Sequence, residues 1–176
     1  IINAGGTPRL VDIGQDYLIN VKKIKKEISK KTKAIIPVHL YGQMCEMDSI
    51  IKLAKKENIM VIEDCAQSQG AKYKNKYSGT IGTFGCFSFY PTKILGAYGD
   101  GGFILTNDYE LYKKIKRIRF YGIETVEKTN FKDKYYANEN GINSRLDEIQ
   151  ASILNLKLKK VNSFINKRRL IAKEYI

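Results

Sequence analysis

Histidine is almost missing from this chain of 176 residues: His39 is the only one. A metal site built from several histidines is therefore excluded within it. Cysteine is scarce too. Cys45, Cys65 and Cys86 form no CxxC pair, and their odd number points to reduced thiols and a cytoplasmic setting. No apolar run reaches the roughly 18–20 residues of a membrane span. The opening IINAGGTPRL has neither the basic start nor the apolar stretch of a secretory leader. An initiating Met is also lacking, so a piece of a longer protein is expected. No GxSxG elbow accompanies His39, and the glycines fit neither the Walker loop nor the dinucleotide fingerprint.

Acidic residues are outnumbered, 18 against 31 basic, for a net charge of +13. Such an excess raises the question of nucleic acid. The distribution answers it, because the lysines are scattered through VKKIKKEISKKTK and LYKKIKRIRF, the pattern of solvated helix faces. No zinc-finger or RNA-binding signature is present. Neither a nucleic-acid nor a membrane partner is expected.

What is present is the 43% apolar content of a globular domain. RLVDI reads as a strand and YLINVKKIKKEIS as a helix. KAIIPVHL reads as a buried strand, EMDSIIKLAKKEN as a helix burying Met47, Ile50, Ile51 and Ala54, and IMVIED as a strand. Strand alternating with helix predicts an α/β fold, a mostly parallel sheet with crossover helices. From Gly70 to Gly85 the chain is rich in turns. CFSFY and GGFILT are two short apolar runs, and a helix is expected from about Asp108 to Phe120. YGIETVEKTNFKDKYYANENGI has no period and reads as a long loop. NSRLDEIQASILNLKLKKV reads as one helix, with Ser144 and Asp147 as a capping pair and Leu146, Ile149, Ile153 and Leu156 as a core-facing stripe.

Ligands of open α/β sheets sit beyond the carboxyl ends of the strands. VIEDCAQ puts Glu63 and Asp64 at such an end. Neighbours on a strand point to opposite sides, so only one can face the crevice and a paired-carboxylate site is not expected. Asp64 reads either as a cap or turn residue or as the crevice carboxylate. The strand CFSFY would aim Ser88 and the loop bearing Lys93 at the same crevice. A carboxylate, a hydroxyl and a desolvated lysine there could perform amine chemistry.

Five segments, in order, carry a resemblance over nearly the whole chain: GGTPRLVDIG, KAIIPVHLYGQMCEMDSI, EDCAQSQGAKY, FSFYPTKILGAYGDGG and GINSRLDEIQASILNLKL. Together they resemble the pyridoxal-phosphate-dependent sugar aminotransferases of the DegT/DnrJ/EryC1/StrS family. The resemblance implies an aspartate-aminotransferase-like large domain, incomplete here. Residues 1–160 would be its central part, and 161–176 the start of the connection to a small carboxyl-terminal domain. Lys93 matches the lysine that binds pyridoxal 5'-phosphate covalently. Asp64 matches the acid paired with the pyridine nitrogen, and Gln67 the glutamine beside the ring. Ser88 matches a hydroxyl on the cofactor phosphate. Asn143 matches an asparagine reaching that phosphate from the other subunit of a homodimer.

The implied reaction moves an amino group from glutamate to a keto group of a nucleotide-linked deoxysugar, for surface-polysaccharide biosynthesis such as lipopolysaccharide. The resemblance extends to a dehydratase branch, which carries histidine where this chain has Lys93. A non-catalytic scaffold of the same fold is the further alternative. The family's upstream glycine-threonine segment, its upstream ring-stacking aromatic and its small domain are not matched in this chain. His39 falls near the expected crevice, as a structural residue or one just behind the site.

Overall fold

The computed structural model describes residues 1–123 and 136–176. Strands β1 (Ala34–Ile35), β2 (Met60–Asp64), β5 (Phe84–Ser88) and β6 (Gly102–Leu105) form one sheet in the order β1-β2-β5-β6. The first three are parallel, and β6 closes the edge antiparallel to β5. A separate hairpin joins β3 (Lys72–Tyr73) to β4 (Lys76–Tyr77). Its turn residues Lys74 and Asn75 both have positive φ, as a two-residue turn that follows the twist of the strands requires.

Helix α1 (Val21–Glu27) and helix α2 (Met47–Glu57) cover one face. On α2 the expected face is the buried one: Met47, Ile50 and Ala54 are enclosed and Ile51 packs partly against them. Each large side chain so buried is worth about 1.5–3 kcal/mol. Asn58 ends α2 in the left-handed conformation, and its N–H bonds back to Ala54 and Lys55. The core joins this helix to Ile24, Ile35 and Val61. Helix α3 (Tyr109–Ile118) starts one residue later than expected, because Asp108 is its cap and not part of its first turn: the carboxylate accepts from the Glu110 and Leu111 amides. No helix among the described residues is long and apolar enough to cross a membrane.

Several expectations are corrected. RLVDI is no sheet strand. The chain folds back on itself there through an Ile13–Ile19 bridge, and Leu10 is 92% exposed. Helix α1 starts only after Asn20, whose side chain caps it by accepting from Lys22. KAIIPVHL is regular over two residues, because Pro37 has no N–H to donate; the pairing resumes as a single bridge between Val38 and Asp64. The helix expected from 143 to 161 is two, α4 (Glu148–Leu158) and α5 (Val161–Lys173). Asp147 is itself the cap of α4, accepting from Ile149, while the Ser144 amide bonds to Arg119. The expected stripe is core only in part: Leu146 packs against the small core and Ile153 is half-buried, but Ile149 and Leu156 are 69% and 66% exposed, and the enclosed residue is Leu154. Residues 124–135, within the expected long loop, lie outside the described residues.

Candidate active site

Asp64 ends β2 and stands in register with Cys86 of the neighbouring parallel strand, two residues before Ser88. The carboxyl ends of the two strands therefore form one edge, where crevices of such sheets lie. Half-buried Asp64 accepts from the Ala66 amide at 3.0 Å through Oδ1. Its turn role and its availability coexist, since Oδ2 has no protein partner among the described residues. Ser88 Oγ accepts from the Tyr90 amide at 3.2 Å, which leaves its O–H free to donate. Beyond Ser88 the chain turns from Tyr90 to Lys93, closed by the Lys93 amide on the Tyr90 carbonyl at 2.9 Å. Pro91 sits where its fixed φ favours such a turn. Lys93 leaves the turn half-buried.

The lysine loop is closed at its base. Phe89 donates to Gly101 at 2.8 Å and accepts from Ala97 at 2.7 Å. A Cβ on Gly96 would lie 2.5 Å from the Pro91 carbonyl oxygen, so only glycine lets the two stretches approach. Helix α4 grips the far side. Gln150 Oε1 accepts from the Tyr98 amide at 2.8 Å, and Lys157 Nζ donates to the Gly96 carbonyl at 2.6 Å. Phe89, Ala97 and Leu154 form a small core beneath. None of these α4 contacts is readable from the sequence alone, because the partners stand tens of residues apart.

Gln67 is exposed, and its Oε1 accepts from the Tyr41 amide at 3.1 Å. Tyr41 is held at φ 58, a conformation a tyrosine rarely adopts. Asn143 is exposed, bridges to Phe120 and accepts from Arg145 at 3.0 Å. It makes no hydrogen bond to Asp64, Gln67, Ser88 or Lys93. One chain thus brings four of the five candidates to the edge of β2 and β5 or its turns, and leaves Asn143 on the segment between α3 and α4.

Glu63 points the other way, as strand alternation demands, and its role escapes the sequence. Fully buried, it accepts from His39 Nε2 and the Gly79 amide at 2.9 Å, from Ile81 at 2.8 Å and from Gly82 at 2.6 Å. Burial pushes its carboxyl up, but His39 and the three amides outweigh that and hold it below its ordinary range. His39 is thereby structural. Cys65 lies close enough to complete a three-residue cluster with His39 and Glu63. The carboxylate oxygens and both ring nitrogens are already engaged, and burial pushes the Cys65 thiol up to about 12. The cluster is a clamp rather than a cation site. The visible clue was a carboxylate placed at the buried phase of a strand that reads V-I-E-D.

The whole chain, residues 1–176, matches the model of the DegT/DnrJ/EryC1/StrS aminotransferase family. It is 48% identical over 173 residues to dTDP-3-amino-3,6-dideoxy-alpha-D-galactopyranose transaminase of Aneurinibacillus thermoaerophilus, covering 98% of this chain and 46% of that protein. The solved structure of DesV from S. venezuelae, in complex with a ketimine intermediate, superposes with a TM-score of 0.89 at 37% identity, over 99% of this chain and 45% of that one. GDP-4-keto-6-deoxy-D-mannose-3-dehydratase of E. coli, solved with hydrated PLP, gives a TM-score of 0.83 at 30% identity, over 93% and 45%. The chain spans less than half the length of the curated relatives it matches.

Proposed function

This chain belongs to the DegT/DnrJ/EryC1/StrS aminotransferase family, whose cofactor is pyridoxal phosphate, and from that premise we propose that Asp64, Gln67, Ser88, Lys93 and Asn143 serve a nucleotide-sugar aminotransferase. The observation that carries the reading is the meeting of Asp64, Ser88 and the Lys93 turn on the adjoining ends of β2 and β5. The donor set fits the cofactor. Oδ2 of Asp64 is a spare anionic acceptor for a protonated ring nitrogen, Ser88 has a free O–H for a phosphate oxygen, and Lys93 has a primary amine. Asn143, distant in sequence and uncommitted through its NH2, suits a phosphate in the partner's site of a homodimer.

When bound, the cofactor supplies an electron sink for the bond broken at the substrate carbon. The chain's own residues do the rest. Asp64 keeps a proton on the ring nitrogen by opposing its charge. The Lys93 amine would take the proton from the Cα of the amino donor as base and, in the second half-reaction, deliver a proton as acid to the sugar carbon that gains nitrogen. Ser88 would hold the cofactor's phosphate and Gln67 would stand beside its ring. Glutamate would give the amino group, and a keto group on a nucleotide-linked deoxysugar would accept it, in the cytoplasm and toward a surface polysaccharide. Residues 1–160 would form the middle of the large domain, and α5 would lead toward a small domain.

The test uses the full-length protein that carries this chain. Incubation with pyridoxal phosphate, borohydride reduction and peptide mass should place the label on Lys93. Glutamate with a panel of keto-sugar nucleotides should then give an amino sugar. Label elsewhere, or none, would defeat the reading. The likeness to a dehydratase favours one second reading, loss of water from the sugar; a deoxygenated product without new nitrogen would establish it.

A further inference from the structure

We propose that Gln69 is a positioning residue for Lys93, a buried amide that ties down both ends of the lysine turn and thereby sets where the amine stands. The proposal rests on the reading of Lys93 given above. Gln69 is 8% exposed. Its Oε1 accepts from the Leu95 amide at 2.6 Å, and its Nε2 donates to the Ser88 carbonyl at 2.8 Å and the Leu95 carbonyl at 3.4 Å. Ser88 is the last residue of β5, and Leu95 comes two residues after Lys93. One carboxamide therefore spans the base of the stretch that carries the amine, with both N–H groups and its oxygen employed.

Gln69 itself stands on firm ground. It lies in the turn that begins at Asp64, where Ser68 donates to Cys65 at 3.1 Å and Ala71 to Ser68 at 2.9 Å. The Ser78 hydroxyl fastens the Ser68 carbonyl at 2.6 Å. Beyond the Cys65–Cys86 backbone bond of 2.8 Å, the hydrogen bonds joining the Asp64 turn to the lysine turn are, among the described residues, those of Gln69. The amide thus couples the segment that meets the ring nitrogen to the segment that carries the amine. Small misplacements of reacting groups are costly in rate, so a rigid link between these two segments has a function that packing alone lacks.

The experiment compares wild type, Gln69→Met and Ile50→Val in the full-length protein. Gln69→Met keeps length and volume and removes all three bonds. Ile50→Val trims the core under α2, away from the site, and controls for general loss of stability. Three readouts are taken: exchange of the Leu95 amide without cofactor, the rate at which pyridoxal phosphate labels Lys93, trapped by borohydride and located by mass, and the visible band of the bound cofactor. Gln69→Met should expose the Leu95 amide and slow labelling about tenfold or more, the factor that one or two hydrogen bonds are worth. The visible band of the lysine-bound cofactor should shift with it, while Ile50→Val labels at the wild-type rate. Wild-type labelling by a folded Gln69→Met, or equal slowing in Ile50→Val, would overturn the proposal. Should Gln69→Met not fold, Gln69→Glu carries the test: it keeps an acceptor for the Leu95 amide, loses the donor to Ser88, and should protect Leu95 yet label slowly. Wild-type labelling by Gln69→Glu would overturn it equally. A wild-type protein that takes no label at Lys93 would refute the reading of Lys93 itself, and the proposal with it.

Discussion

His39 Nε2 lies 2.9 Å from Glu63 Oε2, and both side chains are sealed from solvent. The Cys45 amide donates to Nδ1 at 3.2 Å, so the ring proton sits on Nε2 and is given to the carboxylate. This pair binds the end of the β1 segment to β2, and through Glu63 to the 79–82 turn that leads into β5. The strand that carries Ser88 is thus positioned by a carboxylate on the side of β2 opposite Asp64.

Glu63→Gln should therefore destabilise the protein by about 1–3 kcal/mol for each buried donor that the new NH2 leaves unmet among His39, Gly79, Ile81 and Gly82. The wild type should also lose stability in acid. The folded carboxyl is held below its ordinary 4.5, so its contribution is complete above that value and disappears as pH falls through the folded value. Urea midpoints measured from neutral pH down to pH 3 should fall less steeply in Glu63→Gln than in wild type.

Lys93→Ala in the full-length enzyme should abolish transamination and leave the fold intact. The turn needs the Lys93 amide, not its side chain. Ordinary turnover with glutamate, alongside an unchanged circular dichroism spectrum, would contradict this.

Asp64→Asn separates turn from chemistry. The Asn oxygen can still accept from Ala66, so unfolding should change by less than about 1 kcal/mol. Turnover should fall by about 10²–10⁴-fold, if the loss of a buried ion pair falls on the transition state. Steady-state rates beside denaturant unfolding give both quantities.

Gly96→Ala should strain the lysine loop, since the new methyl meets the Pro91 carbonyl at 2.5 Å. A cost of about 1–3 kcal/mol is expected for such overpacking. The melting temperature should drop, and labelling of Lys93 by pyridoxal phosphate should slow.

The thiols should be inert in the folded state. Burial is the main cause that pushes Cys45 up to about 11 and Cys65 up to about 12, and it raises Cys86 as well. A disulfide reagent at neutral pH should react slowly with native protein and rapidly with all three cysteines after denaturation.

Much of this was legible because it is local. The face of α2, the extent of β2 and the start of α3 near Asp108 depend on periodicity and on side chains within a few residues. The places of Asp64, Ser88 and Lys93 at or just beyond strand ends were legible because IMVIED and CFSFY read as strands, while Gln67 and Asn143 came from the family resemblance alone. The break between α4 and α5 was not, as no glycine or proline marks it.

By itself the sequence determined the α/β alternation, the residues available at the strand ends and the family to which they belong. The tertiary structure alone decided that Glu63 is a clamp, that Leu154 rather than Ile149 is enclosed, and that Gln69 reaches Leu95 across 26 positions. The physical reason is common to all three. A side chain's direction along an element follows from local geometry, but the partner it meets is fixed only when distant segments pack, and a buried polar group must then find whatever donors and acceptors that packing supplies.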